Sequence, residues 1–107
     1  MALEINDSSF KKEIEEQKGV AMVDFWAPWC GPCQASAPIV EAVSGEFKDK
    51  AKVAKMNVDD NQETASRLGV MSIPTFIFFK DGKEVDRKIG MQSQEGLKSV
   101  LEGLLKG

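Results

Sequence analysis

The chain has 107 residues, of which 42% are hydrophobic and 29% are charged, a composition typical of one globular domain with a single core. Its 14 basic and 17 acidic side chains give a net charge of −3, which argues against a surface for nucleic acid or anionic membranes. No apolar run reaches membrane-spanning length, and the first residues lack the basic start and apolar centre of a signal peptide. We therefore expect one domain over residues 1–107, in a cytoplasmic protein.

The N-terminal part of the chain predicts a strand, a helix and a second strand. The first strand lies near Leu3–Ile5, and Asp7 or Ser8 can cap the helix that follows and that ends at Gly19. The run Val20–Trp26 is almost continuously apolar, which is typical of a central strand buried on both faces.

The middle of the chain continues this alternation. A second helix is expected from the cysteine pair to about Phe47, with a kink at Pro38, because proline cannot donate the hydrogen bond that a helix interior requires. A third strand fits Lys52–Val58. Asp60 or Asn61 can then cap a short helix.

The C-terminal part predicts a hairpin and a helix. Strands at Thr75–Phe79 and Val85–Ile89 flank Asp81-Gly82, a strong hairpin signal. The last helix has apolar residues at helical spacing, namely Leu97, Val100, Leu101, Leu104 and Leu105. Alternating strands and helices favour parallel pairing, and the hairpin adds an antiparallel edge. We expect an α/β fold, a three-layer α/β/α sandwich around a central mixed five-stranded sheet, with four helices.

Cys30 and Cys33 are the only cysteines, and two residues separate them. A disulfide that closes so short a loop restricts the unfolded chain little and is a poor structural staple. A zinc site commonly needs about four ligands, and the chain has no histidine, so a zinc site within one chain is disfavoured. The pair therefore predicts redox chemistry, with a metal bridge or an incidental pair as the alternatives.

The segment Cys30-Gly31-Pro32-Cys33 follows the central strand and opens the second helix. Residues three apart share a helix face, so the two sulfurs can meet. Free N–H groups and the positive dipole end of the first turn stabilise a thiolate, most of all at Cys30. Pro32 loses no helical hydrogen bond there and stiffens the loop. We predict that Cys30 is the exposed attacking thiolate and that Cys33, which is more shielded, resolves the mixed disulfide.

Asp24 lies inside the apolar central strand, where an unpaired carboxylate is costly. Burial would raise its pKa and make it a usable proton acceptor. The alternative is an aspartate at the strand end that faces solvent. Lys55 belongs to the next strand, where a surface lysine is an equally good interpretation.

Three segments resemble the thioredoxin family, and the match spans nearly the whole chain. They are Val23–Cys33, with its Trp-Cys-Gly-Pro-Cys sequence, Ile73-Pro74-Thr75 and Lys80-Asp81-Gly82. The resemblance implies the thioredoxin fold and a general protein-disulfide reductase with no bound cofactor. Its expected partners are disulfide-containing proteins and a thioredoxin reductase that draws on NADPH. We expect a monomer that binds neither nucleic acid nor membrane.

The resemblance also implies roles for individual residues. Asp24 would accept the proton of Cys33, with Lys55 near that carboxylate. A cis bond before Pro74 has a general frequency of only about 5–6%, but the family places a cis-proline beside the cysteines, where the backbone of Ile73 can pair with an extended substrate. The flat contact surface of the family corresponds to Trp29, Gly31, Pro32, Ile73, Pro74, Gly90 and Met91. For Ile73 and Met91 taken singly, core packing is an equally good account.

Three residues depart from the common pattern of the family. Gln34 stands where a lysine is frequent, Pro28 where a polar residue is frequent, and Met91 where an alanine is common. They predict a changed redox potential or partner preference.

Two other functions stay open at this point. An oxidase or isomerase would use the same cysteine pair, although Gly-Pro between the cysteines argues against it. A binding module could use the same surface as a subunit or adaptor, with redox activity secondary.

Overall fold

The computed structural model describes all residues from 1 to 107. Its strands are β1 (Leu3–Glu4), β2 (Val20–Trp26), β3 (Lys52–Asn57), β4 (Thr75–Lys80) and β5 (Lys83–Ile89). Its helices are a short N-terminal π-helix (Lys11–Glu15), α1 (Gly31–Glu46), α2 (Gln62–Arg67) and α3 (Gln94–Lys106). The element order is the predicted one.

The five strands form one mixed sheet in the order β1-β3-β2-β4-β5. The first three strands of this order pair in parallel, whereas β4 pairs antiparallel with both β2 and β5. The register places Asp24 of β2 between Lys55 of β3 and Phe76 of β4. Helices cover both faces, so the predicted fold class is confirmed.

The core is divided between the two faces of the sheet. Ala21, Val23 and Phe25 of β2 pack in a cluster with the π-helix and α2. Val20 and Met22 pack in a second cluster with α1 and α3. Because successive side chains of a strand point to opposite faces, this alternation places the next even-numbered residue, an aspartate, on the α1 side.

The helix termini differ from the sequence prediction. Asp7 does not cap the helix that follows it; its carboxylate accepts hydrogen bonds from the backbone N–H groups of Glu63 and Thr64, at 3.3 and 2.9 Å, in the first turn of α2. The side chain of Asn61 makes no cap of its own, and its amide oxygen instead accepts the N–H of Asp7 at 2.9 Å. Before the first helix, the Asn6 side-chain oxygen accepts a hydrogen bond from the backbone N–H of Ser9. The cap of α2 was predicted from the residues next to this helix, but Asp7, which is distant in sequence, supplies it.

Helix α1 runs through Pro38 without ending there. Arg87 of β5 holds the other end of α2, because its guanidinium donates to the carbonyl of Leu68 at 2.7 Å and pairs with Glu84 at 2.8 Å. No helix in the chain has both the length and the apolar character needed to cross a lipid bilayer.

Candidate active site

Cys30 and Cys33 lie between the end of β2 and the first turn of α1. They form a disulfide bond, with their Cα atoms 5.2 Å apart. Cys30 is the N-cap of α1, in an extended backbone conformation. Its sulfur accepts the backbone N–H of Cys33 at 3.1 Å, a donor that the helix itself leaves unpaired. The predicted position of the pair, at a helix N-terminus beyond a buried strand, matches the structure.

The prediction that Cys30 is exposed is wrong for this disulfide form. Cys30 is 4% exposed and Cys33 is 3% exposed, so the two residues are covered almost equally. They pack with Ala27, and partly buried Ile73 and Val58 close over that cluster. A position at a helix end indicates which backbone groups surround a sulfur, but it does not predict packing against residues distant in sequence, such as Val58 and Ile73.

Asp24 is buried, with 3% of the residue exposed, and its Oδ1 atom has no hydrogen-bond partner. Burial raises the pKa of this carboxyl to about 7, since the ionised form loses its hydration. The Lys55 ammonium acts in the opposite direction on that pKa, and the Glu4 carboxylate reinforces the rise. The interpretation of Asp24 as a solvent-facing aspartate is therefore excluded.

A cavity of about 80 Å³ connects this carboxylate with the redox pair. Its walls include Asp24, Cys33 and Lys55, and its remaining lining residues are Trp26, Gln34, Ala37, Val40 and Glu41. One water molecule needs only about 10–15 Å³ of such space and a few polar partners, so the cavity can hold water. Of the two cysteines, only Cys33 reaches this cavity.

Lys55 lies beside Asp24 but forms its ion pairs elsewhere. Its ammonium is 3.9 Å from Glu4 Oε1 and 3.8 Å from Glu41 Oε2. It also stands 5.5 Å from the centre of the half-buried Trp26 ring. Lys55 therefore contributes a positive charge to the cavity without neutralising the buried carboxylate by direct contact.

The Ile73–Pro74 peptide bond is cis, the geometry that the family resemblance implies. Ile73 packs against the cluster formed by the two cysteines. On the other side, the N–H of Gly90 donates to the carbonyl of Pro74 at 2.8 Å, which brings the chain at Met91 next to this bond. Residues about 40 and 60 positions beyond the cysteines in sequence are thus assembled around the disulfide.

Three exposed apolar side chains, which we call the rim, lie on the loops next to the cysteines and the cis-proline: Trp29, Met71 and Met91. Trp29 is 70% exposed, and its indole N–H donates to the Asp59 carboxylate at 2.9 Å. Met91 is 50% exposed and Met71 95%. Met71, Ile73 and Trp29 are among the residues that line a groove of about 180 Å³, and Ile73 in turn packs against the cysteine cluster. Gly31 and Pro32 form the first turn of α1 within the same loop, and both are exposed.

Sequence reasoning missed Asp59 and Met71. Asp59 follows β3 as Trp29 follows β2, and neighbouring parallel strands end at the same sheet edge, so strand order could have indicated their contact. Met71 lies in an irregular loop, where no pattern indicates which side chains face a site. The two unusual residues Pro28 and Gln34 are in contact, because the Gln34 amide donates to the Pro28 carbonyl.

A disulfide at a helix N-terminus, a cis-proline whose neighbour Ile73 packs against that disulfide, and a buried carboxylate in the adjoining cavity define a dithiol–disulfide oxidoreductase. No group of three or more His, Cys, Asp or Glu side chains is placed to hold a metal ion. A sequence model of the thioredoxin family matches residues 1–103.

Thioredoxins from other organisms match almost the whole chain. The thioredoxin of Rickettsia prowazekii is 50% identical over 97 residues, which cover 91% of this chain and 92% of that protein. The thioredoxin of Staphylococcus haemolyticus is 48% identical over 100 residues, 94% of each. The chain belongs to the thioredoxin family, and it is a disulfide oxidoreductase that works by dithiol–disulfide exchange.

Proposed function

We propose that this chain reduces disulfide bonds in other proteins, with Cys30 as the nucleophile and Cys33 as the resolving thiol. These two roles are assigned because Cys30 and Cys33 have different surroundings. The Cys30 sulfur accepts a backbone N–H at the helix N-terminus, which stabilises a thiolate. Cys33 instead lines the cavity that contains the Asp24 carboxylate.

The first step consumes the thiolate of Cys30. It attacks one sulfur of a substrate disulfide, a Cys30–substrate bond forms, and the other substrate sulfur leaves as a thiolate that takes up a proton. The backbone at Ile73 and the rim around Trp29 would hold the substrate segment in an extended conformation during this attack.

The second step needs the proton of Cys33 to be removed. Asp24, with a pKa of about 7, can accept this proton near neutral pH, and a water molecule in the cavity can carry it. The Cys33 thiolate then attacks the Cys30 sulfur and releases the second substrate thiolate. Two electrons pass to the substrate, and the protein is left with the Cys30–Cys33 disulfide.

The electrons would return through a thioredoxin reductase that uses NADPH, since the Cys30–Cys33 disulfide must be reduced again before the next turnover. We further propose that it acts as a monomer in the cytoplasm. Each of these proposals follows from the family to which the chain belongs. A defined mixture with purified reductase and NADPH tests the electron source directly, because NADPH oxidation must then depend on both the chain and a disulfide substrate.

Insulin reduction tests the assignment of the cysteines. We expect turnover with the unmodified chain, none with Cys30→Ser, and a trapped covalent complex with Cys33→Ser, since that variant can attack but cannot resolve. Turnover by Cys30→Ser, or trapping by Cys30→Ser instead of Cys33→Ser, would contradict the roles. The double variant separates the reductase from an adaptor, which would keep its biological function without either thiol.

A further inference from the structure

The five methionines fall into two groups by exposure. Met22 and Met56 are completely buried in the two core clusters. Met1, Met71 and Met91 are exposed. Met71 lines a groove with Ile73, which packs against the cysteine cluster, and Met91 follows Gly90, which is hydrogen-bonded to Pro74. Met1 precedes β1, at the opposite edge of the sheet from β5. The chain therefore contains two solvent-accessible thioethers beside the cis-proline loop, with buried and remote methionines as internal references.

The two thioethers lie on either side of the cis-proline loop. Met71 shares the groove beside the disulfide with Trp29 and Ile73. Met91 directly follows Gly90, which is hydrogen-bonded to Pro74. A protein segment that docks along Ile73 would thus cover one or both sulfurs, and unbranched, polarisable methionine side chains suit contact with partners of varied shape.

We propose that Met71 and Met91 are oxidation sites, and that their conversion to the sulfoxide by a hydroperoxide weakens the docking of protein disulfides. The proposal rests on the proposed function. In the reaction the O–O bond of the hydroperoxide breaks, an S=O bond forms on the thioether, and water or an alcohol leaves. The thioether loses two electrons and the hydroperoxide gains them.

The expected effect is selective for large substrates. A sulfoxide is polar, so covering it with an apolar partner surface leaves an unpaired acceptor or retains water at the contact. A small disulfide needs only access to Cys30 and does not need the rim. The modification therefore acts on partner recognition, whereas the chemistry of the Cys30–Cys33 pair continues.

The first measurement is the pattern of oxidation. The disulfide form is treated with hydrogen peroxide, because its cysteines are then protected from the oxidant, and sulfoxides are located by peptide mass spectrometry. We expect Met1 and Met71 to react fastest, Met91 next, and Met22 and Met56 to be protected. Reaction of Met22 or Met56 as fast as Met71 would overturn the assignment of sites.

The second measurement compares each protein with itself before and after peroxide. For the unmodified chain, kcat/KM for insulin should fall by about fivefold or more, and that for a small aromatic disulfide by less than about twofold. The variant with Met71→Leu and Met91→Leu should lose this sensitivity, whereas Met1→Leu, the matched control, should keep it. An equal loss in the double-leucine variant, or full insulin turnover with both sulfoxides formed, would refute the proposal.

The same data separate this proposal from the function on which it rests. If the untreated chain reduces the small disulfide but not insulin, the proposed function is wrong, and the oxidation proposal fails with it. If the untreated chain reduces insulin and peroxide leaves that rate unchanged, only the oxidation proposal fails.

Discussion

Replacement of Asp24 by asparagine should stabilise the disulfide form, and increasingly so as the pH rises. The folded protein raises the pKa of this carboxyl from 3.8 to about 7. Because each tenfold change in an acid constant is worth about 1.4 kcal/mol, ionised Asp24 costs the folded state roughly 4 kcal/mol relative to the protonated form. Asparagine keeps the shape of the side chain and has no charge to bury.

The direction in which stability changes with pH follows from proton binding at Asp24. Between about pH 4 and pH 7 the folded state binds a proton at Asp24 that the unfolded state has released, so stability falls as the pH rises. The favourable contribution is complete below the unfolded value of 3.8 and is lost as the pH passes the folded value of about 7. Asp24→Asn removes this dependence, so its advantage over the unmodified chain should grow by about 3 kcal/mol between pH 5 and pH 9.

Urea denaturation at several pH values, followed by tryptophan fluorescence, measures this advantage. Asp60→Asn is the matched control, since it makes the same substitution at an exposed carboxylate. The reasoning would be refuted if Asp24→Asn and the unmodified chain gave parallel curves of unfolding free energy against pH. It would be refuted equally by an advantage that shrinks towards high pH.

Three further predictions concern the resolving step, the end of α2 and the turn at Gly82. Asp24→Asn should slow the resolving attack by Cys33 by about tenfold or more at pH 7, so that the mixed disulfide accumulates in rapid-quench experiments. Arg87→Ala should lower the unfolding free energy by about 1–2 kcal/mol in urea, because it loses its hydrogen bond to the end of α2 and its ion pair. Gly82→Ala should cost about 2 kcal/mol or more, since Gly82 has a φ of +84° and a Cβ there would overlap the Glu15 carbonyl. Gly103→Ala, within α3 and facing open space, is its control and should be neutral or slightly stabilising in the same urea titration.

Local pattern was sufficient for the fold and for the burial of Asp24. The apolar run of β2 and the helical spacing of α3 each predict an element from its own residues, and the residues that flank Asp24 determine its environment. Local patterns could not predict the contacts between segments that are distant in sequence. Val58 and Ile73, which pack against the cysteine cluster, come from distant parts of the sequence, and the position of Met71 depends on the conformation of the loop before β4.

The bond between Asp7 and the first turn of α2 ties together residues 56 and 57 positions apart. A six-residue helix is too short to persist alone in water, so α2 depends on this tie and on Arg87 at its other end. Fraying of the N-terminal segment would remove one of these supports and so loosen α2 and the loop that carries Met71, although Ala65 still packs in the core. We therefore expect the two segments to open together, so that hydrogen exchange at Thr64 would report on the order of the N-terminus.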